Sequence, residues 1–350
     1  MNFLRKAVAC ALLLCAGLQQ MVADDQLTKE DSVALEKLYH DYYSAMHKAT
    51  VKTRSQMDEL RRSAVRDRQK EMEIGNLYYQ EMQALRKGFG DSLAANPRFA
   101  TIARLRNLFL NYREEKNAAS EAMYKELIEY YEEDVFFDLY NDYQVDFVYT
   151  WNDKFITLIQ ENPSFITYPE YLFNEYYDDI QVTTSADGRL RSYRWRNLLL
   201  KNCPEFTSFQ QYRTDDGKVL VNRGEELNDD DLVKNIYVLD ADGKRIYLLE
   251  MYAKLGNDRS ICHYYAEAIE GDNITHPHVF ETKDENEDFG VVYDEKLWPI
   301  HVFQDDDWVM KYDEATRTIF VREYEDESKG ILSDKYKSYV FDGEVFKLSD

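Results

Sequence analysis

Arginine and aromatic residues alternate along one short segment, at Arg191, Tyr193, Arg194 and Trp195. Residues two apart in a β-strand lie on the same face, so Tyr193 and Trp195 would share a face bordered by guanidinium groups. Rings and guanidinium groups together suit an acidic glycan or an anionic peptide, through stacking and paired hydrogen bonds. The pattern therefore predicts a ligand-binding platform. In the alternative interpretation the two rings pack in the core and the arginines cover the sheet.

Two histidines have the spacing of metal ligands. His276 and His278 would lie on one face of an extended segment, and His263 or Glu281 could complete a zinc site. Three acidic clusters resemble parts of a calcium loop, but none has its full alternating pattern; they lie at residues 229–231, 240–243 and 305–307. We predict no cofactor, with zinc or calcium as the alternatives.

Four cysteines are present, and Cys203 and Cys262 lie in the C-terminal half. In an oxidising compartment they could form a disulfide that closes a loop of roughly 60 residues and stabilises the fold by about 3–4 kcal/mol. Two buried free thiols are the alternative.

No residue set identifies a catalytic reaction. Adjacent carboxylates such as Glu132 and Glu133, or Glu225 and Glu226, diverge on a helix or strand, and glycoside hydrolysis needs two that converge. The serine-nucleophile elbow, the zinc-protease helix, the phosphate-binding glycine loop and the dinucleotide fingerprint are absent from the sequence. An exported polymer hydrolase with carboxylates at the rim of the β domain remains an alternative function.

The chain is strongly acidic, with 66 acidic and 43 basic residues and a formal net charge of −23. Because proteins bind nucleic acid by neutralising phosphates, this charge argues against a nucleic-acid partner and against anionic membrane surfaces.

The first 23 residues have the features of a secretory signal peptide. Arg5 and Lys6 precede an apolar run, and small Ala23 stands before two aspartates. About ten apolar residues are too few to span a bilayer, which needs roughly 20 in a helix. We therefore expect a secreted or periplasmic protein without a membrane span. Lipid anchoring at Cys15 is the alternative, although Leu14 before it is larger than lipoprotein peptidases accept.

Glycine usage divides the remaining chain near residue 178. Three glycines occur in residues 24–178 and nine in residues 179–350. Helices avoid glycine and hairpins require it, so we predict a helical domain over 24–178 and an antiparallel β domain over 179–350. Apolar residues at helical spacing, a turn at Gly88, Gly90 and Pro97, and a start at Thr28 and Asp31 predict a helical hairpin or bundle. Shorter helices are predicted at residues 151–160 and 170–177. Residues 135–149 favour a further helix, with a strand over residues 143–149 as the alternative.

Four Asp-Gly pairs separate β-rich runs in the second half, at residues 187–188, 216–217, 242–243 and 342–343. Such pairs favour two-residue type I′ hairpin turns. Further strands are predicted at residues 261–269, 291–293, 300–303, 308–312 and 318–324. The fold class is therefore α+β, with a β-meander that forms an incomplete propeller, a barrel or a sandwich.

The segments SADGRLRSYRW and YVLDADGKRIYLLEM, residues 185–195 and 237–251, resemble hairpin units of uncharacterised secreted, acidic, tyrosine-rich proteins of gut-type (Bacteroidetes-like) bacteria. The resemblance implies export and a β-meander, and it brings no catalytic residues.

Together these patterns predict an exported, non-catalytic binding protein. Its β domain would recognise a glycan or a protein or peptide partner, and its long helices could form a homo-oligomer. A structural envelope component is a further alternative.

Overall fold

The computed structural model describes residues 27–62, 67–129, 150–170, 172–173, 180–196, 206–222, 232–241, 243–254, 259–281, 289–294 and 308–349. It confirms an α+β fold in which helices precede antiparallel sheets arranged as a meander, and the described strands form no closed barrel. The chain divides into two compact units, Met1–Glu114 and Glu115–Asp350. The described strands begin at Ile180, beside the change in glycine usage. The division into domains at residue 178 stays a prediction.

The helices are α1 (Lys29–Arg62), α2 (Arg68–Ala95), α3 (Ala100–Glu129) and α4 (Thr150–Glu161), with 3₁₀ turns at Pro97–Phe99, Pro163–Thr167 and Glu327–Lys329. The strands are β1 (Ile180–Thr184), β2 (Leu190–Arg196), β3 (Phe206–Arg213), β4 (Val219–Asn222), β5 (Leu232–Ala241), β6 (Lys244–Lys254), β7 (Arg259–Glu270), β8 (Asn273–Thr275), β9 (Phe289–Asp294), β10 (Met310–Asp313), β11 (Thr318–Asp326), β12 (Ile331–Phe341) and β13 (Phe346–Leu348).

The first two helices begin at side-chain caps. Thr28 and Asp31 form the predicted capping box, because each side chain accepts a hydrogen bond from the other residue's backbone N–H at 3.1 Å. Asp67 caps α2 by accepting from Lys70 N at 3.0 Å. Phe89 of α2 stacks on Tyr42 of α1, with ring centroids 4.3 Å apart. Aromatic packing therefore joins the first two helices.

Gly88 and Gly90 do not form the predicted turn, since both lie inside α2 and the chain turns at Asn96 and Pro97. Gly90 allows close packing instead. A Cβ atom there would lie 2.7 Å from Nη1 of Arg106, which is buried on α3.

The strands form three sheets in chain order. Sheet A contains β1–β4, sheet B contains β5–β8 with β9 paired to β7, and sheet C contains β10–β13. Every strand pair is antiparallel, and consecutive strands are neighbours within each sheet, except that β9 pairs with β7 and not with β8. Each predicted Asp-Gly pair lies between two paired strands.

The turns at three of these pairs are not of the predicted type I′. Five residues separate β1 from β2 and β3 from β4, and four separate β12 from β13. Among the described residues outside glycine only Arg317 has a positive φ, whereas a type I′ turn requires one at both central residues. The aspartates act as local caps instead: Asp187 accepts from Arg189 N at 3.1 Å, and Asp342 accepts from Glu344 N and Val345 N at 3.0 Å.

The three sheets pack face to face. One apolar cluster joins sheets A and B and includes Leu190, Tyr212, Tyr247 and Leu249. A larger cluster joins sheets B and C; its buried members include Leu248, Tyr264, Phe280, Ile319 and Phe346. The second unit therefore has a layered core in which sheet B is the middle layer.

Several predicted elements lie wholly or partly outside the described residues, namely the helix at 135–149, the strand at 300–303 and most of the helix at 170–177. Among the helices that the structure describes, none combines the length and hydrophobicity needed to cross a bilayer.

Two glycines of α2 provide a matched stability test. A Cβ atom added at Gly75 would have no atom within 4 Å. Gly75→Ala should therefore stabilise the helix by about 1 kcal/mol, since alanine is the better helix former. Gly90→Ala gains the same propensity but displaces Arg106, which donates to Arg86 O at 2.8 Å and lies over the Phe89 ring. We expect thermal unfolding followed by circular dichroism to show a higher Tm for Gly75→Ala and a lower one for Gly90→Ala. Equal shifts would contradict the close packing at Gly90.

Candidate binding surface

The aromatic residues of the predicted platform on β2 lie in the core. Tyr193 is 0% exposed and Trp195 is 2% exposed. Phe155 of α4 stacks on Trp195 at a centroid distance of 4.8 Å and meets Tyr193 edge-on at 5.9 Å. Helix α4 thus covers this face of sheet A. The two rings share a face as predicted, but they present no platform to solvent.

Arg191 is also buried and has a structural role. Its Nε donates to Thr184 Oγ1 at 2.8 Å, and its two terminal nitrogens donate to the carbonyl oxygens of Phe165 and Tyr168. The guanidinium group therefore ties the 3₁₀ turn before sheet A to the sheet itself. Arg194 points to the opposite face, is half-buried and donates to Gln181 Oε1 at 3.3 Å.

The two predicted metal ligands differ in their exposure to solvent. His276 is half-buried and its ring lies 5.0 Å from that of Tyr265, whereas His278 is exposed. In the described part of the chain, no group of three or more His, Cys, Asp and Glu side chains is placed to hold a metal ion.

Cys262 is a buried, free cysteine, and Cys203 lies outside the described residues. The structure therefore shows the free-thiol alternative at Cys262. Its surroundings suppress reactivity, because burial raises the pKa of the thiol to about 12. A thiol with this pKa is almost fully protonated at neutral pH.

A buried carboxylate lies beside this thiol, between sheets B and C. Glu250 of β6 accepts hydrogen bonds from Asn235 Nδ2 at 2.7 Å, Tyr237 OH at 2.9 Å and Tyr252 OH at 3.1 Å, and Lys234 Nζ lies 3.5 Å away. Burial is the main cause of the raised pKa of both phenols, which therefore stay protonated as donors. The cluster is a satisfied network in the core, not a carboxylate at the rim of the domain.

An aromatic surface does reach solvent, on the outer face of sheet C. The register pairs Phe320 with Lys311 and Ser338, pairs Arg322 with Tyr336, and pairs Val340 with Lys347, which places these side chains on one face. The opposite face carries Tyr312, Ile319 and Phe341 into the core with sheet B. We define the sheet C face as Trp308, Lys311, Phe320, Arg322, Tyr336, Val340 and Lys347.

The rings of the sheet C face form one cluster around Tyr336. Tyr336 is 57% exposed, and its ring centroid lies 5.5 Å from that of Phe320 and 6.0 Å from that of Trp308, both in edge-to-face geometry. Trp308 and Phe320 are half-buried. Because three separate strands or their ends supply the rings, the cluster exists only when sheet C is folded.

Cationic groups lie among these rings. The Arg322 guanidinium lies 4.9 Å from the centre of the Trp308 ring, and its Nε donates to Trp308 O at 2.9 Å. Lys311 is exposed opposite Phe320. Lys347 lies 2.5 Å from Asp342 Oδ2, and the hydrogen bond to this carboxylate raises the lysine pKa. Arg322 Nη1 also lies 3.5 Å from Asp334 Oδ1. The surface thus combines exposed aromatic area with cationic groups, of which Arg322 and Lys347 have carboxylate neighbours.

Sequence reasoning missed this surface. Trp308, Phe320 and Tyr336 each fall on a predicted strand, but no short segment contains more than one of them. Only the register of sheet C brings them together.

No protein-family model, no curated protein and no solved structure matches this chain.

Trp195→Ala tests the burial of the β2 aromatic residues. Removal of a large ring stacked in the core should lower the free energy of unfolding by about 3–5 kcal/mol in urea titration. Tyr336→Ala is the control, because truncation of an exposed ring should change stability by no more than about 0.5 kcal/mol. A small effect of Trp195→Ala would place that ring at the surface.

Thiol counting with a chromogenic disulfide reagent tests Cys262. The native protein and native Cys262→Ala should react equally, because the thiol is buried and protonated. In urea the wild type should show one more reactive thiol than Cys262→Ala. A disulfide between Cys203 and Cys262 would give the reverse result, since the variant would then carry the additional free thiol.

Proposed function

We propose that this chain is an exported, non-catalytic binding protein that recognises an acidic glycan through the sheet C face. The observation that carries the proposal is the exposed Tyr336 ring within an aromatic cluster bordered by Lys311 and Arg322. Aromatic rings offer flat apolar area to sugar rings, and cationic groups bind carboxylates or sulfates. The proposed export depends on the signal-peptide pattern in residues 1–23.

The charges on this face favour a hydrated ligand over another protein sheet. The interfaces of sheet A with B and of sheet B with C contain apolar clusters, and the buried carboxylates there, Glu267 and Glu250, accept hydrogen bonds. Packing a further sheet on the sheet C face would bury the exposed charge of Lys311 and the ion pair of Lys347 with Asp342, and charges are costly to remove from water. A glycan in solution leaves the lysine heads hydrated while it covers the rings. An anionic peptide would use the same groups and is the alternative ligand.

Affinity electrophoresis with two matched polymers tests this proposal. Polygalacturonate should retard the wild type, and its fully methyl-esterified form should retard it less, because esterification removes the carboxylates. Tyr336→Ala should weaken retention at least about tenfold, as expected for a central aromatic contact. Tyr79→Ala is the matched control, since Tyr79 is 63% exposed on α2 and belongs to the other unit.

Other results would contradict the proposal. Equal retention of Tyr336→Ala and Tyr79→Ala would show that the sheet C face does not bind the polymer. Sedimentation velocity tests whether a second copy of the chain occupies this face. A wild-type dimer that is lost in Tyr336→Ala would make the face an interface between copies of the chain.

A further inference from the structure

A cleft of about 550 Å³ lies between the first strands of sheets A and B, away from the sheet C face. Its described lining comes mainly from β1 and β5, with Glu170 and Phe173 contributing from the preceding helical turns. The volume falls within the roughly 300–1,000 Å³ of typical ligand sites. Among the described strands, β1 pairs only with β2, and β5 pairs only with β6. Two unpaired strand edges therefore border the cleft.

The backbone of β1 presents hydrogen-bonding groups to this cleft. Ser185 N–H donates to Leu190 O at 2.8 Å, so Ser185 points its backbone groups at β2. Backbone direction alternates along an antiparallel strand, which turns the N–H and C=O groups of Val182 and Thr184 away from β2. Both residues line the cleft, and no described residue pairs with these outward backbone groups.

The five-residue strand β1 has no charged residue, proline or bulge along its edge. Native proteins protect exposed edges with charged residues, prolines or bulges. Strand β1 reads Ile-Gln-Val-Thr-Thr and pairs with β2 in continuous register, without a bulge. The facing β5 has a register shift between Val233 and Asn235. Strand β1 is therefore the edge that can accept another strand.

One hydrogen bond crosses the cleft between β1 and β5. Thr183 Oγ1 donates to Val233 O at 2.7 Å, which joins the two strands. Ile180, Val182, Leu232 and Ile236 supply apolar wall. A five-residue strand extends about 17 Å at roughly 3.3 Å per residue, so β1 offers pairing sites for a short segment.

We propose that this cleft binds an extended, uncharged peptide segment of another protein, which adds to sheet A as a strand beside β1. Val182 and Thr184 present backbone N–H and C=O groups two residues apart. An extended polypeptide is the ligand class that supplies complementary groups at this spacing. The apolar wall selects β-branched side chains on the alternate positions that face it. This site is independent of glycan binding at the sheet C face.

Backbone N-methylation of a synthetic peptide tests strand addition on the wild-type protein. The probe is a peptide of alternating valine and threonine with one lysine at each end, and binding is measured by calorimetry. Methylation of successive peptide nitrogens should weaken binding with a period of two, because alternate N–H groups face β1. Equal losses at every position, or no binding at millimolar peptide, would overturn the proposal.

A matched pair of proline variants locates the site. Val182→Pro removes an N–H group that faces the cleft, and edge strands tolerate proline at such positions. Val221→Pro is the control on β4, the other edge of sheet A: Thr214 N donates to Lys218 O, so Val221 also points away from its neighbouring strand. Val182→Pro should lower peptide affinity at least tenfold, whereas Val221→Pro and Tyr336→Ala should leave it unchanged.

Two further measurements distinguish a backbone effect from a side-chain effect, and a peptide partner from a second copy of the chain. Val182→Thr retains the N–H group and should bind the peptide normally, so equal losses in the threonine and proline variants would assign the effect to the side chain and overturn strand addition. Sedimentation velocity detects pairing of β1 with a second copy: a dimer abolished by Val182→Pro would replace the peptide partner with another molecule of this chain.

Discussion

Burial of both faces of sheet B determines the arrangement of the second unit. Residues 246–253 of β6 are all buried, so successive side chains alternate between two cores instead of between a core and water. Leu249 packs towards sheet A and Leu248 towards sheet C. A sheet with two apolar faces needs a layer on each side. The flanking sheets are therefore required by the sequence of the middle one.

The two outer sheets differ in what covers the face that does not pack on sheet B. Sheet A has its second face covered by α4, where Phe155 packs on Tyr193 and Trp195. On the outer face of sheet C, Tyr336 and Lys311 are exposed. The layers also contain polar groups, since Gln210 Nε2 donates to both oxygens of Glu267 at 2.7 and 2.8 Å between sheets A and B. Such buried hydrogen bonds are costly to break, and they fix how the sheets align.

The sequence predicts the local elements better than the surfaces. Asp-Gly pairs and strand alternation identify the hairpins, because both depend on neighbouring residues. Alternation also shows correctly that Tyr193 and Trp195 share a face, but it carries no information about what covers that face. The aromatic cluster around Tyr336 depends on the register of three strands, and the role of Gly90 depends on Arg106 of another helix. These contacts form only in the folded chain, so a local pattern cannot reveal them.

A stack of separate meanders also has a consequence for association. A closed barrel has no free edges, whereas among the described strands the first and last of each meander pair on one side only. Such edges promote aggregation unless another force keeps copies apart, and a net charge of −23 provides repulsion between copies. This repulsion is screened within about 8 Å at physiological ionic strength. A ligand at close range therefore meets the local surface: uncharged backbone groups at β1, and rings with lysine and arginine at sheet C.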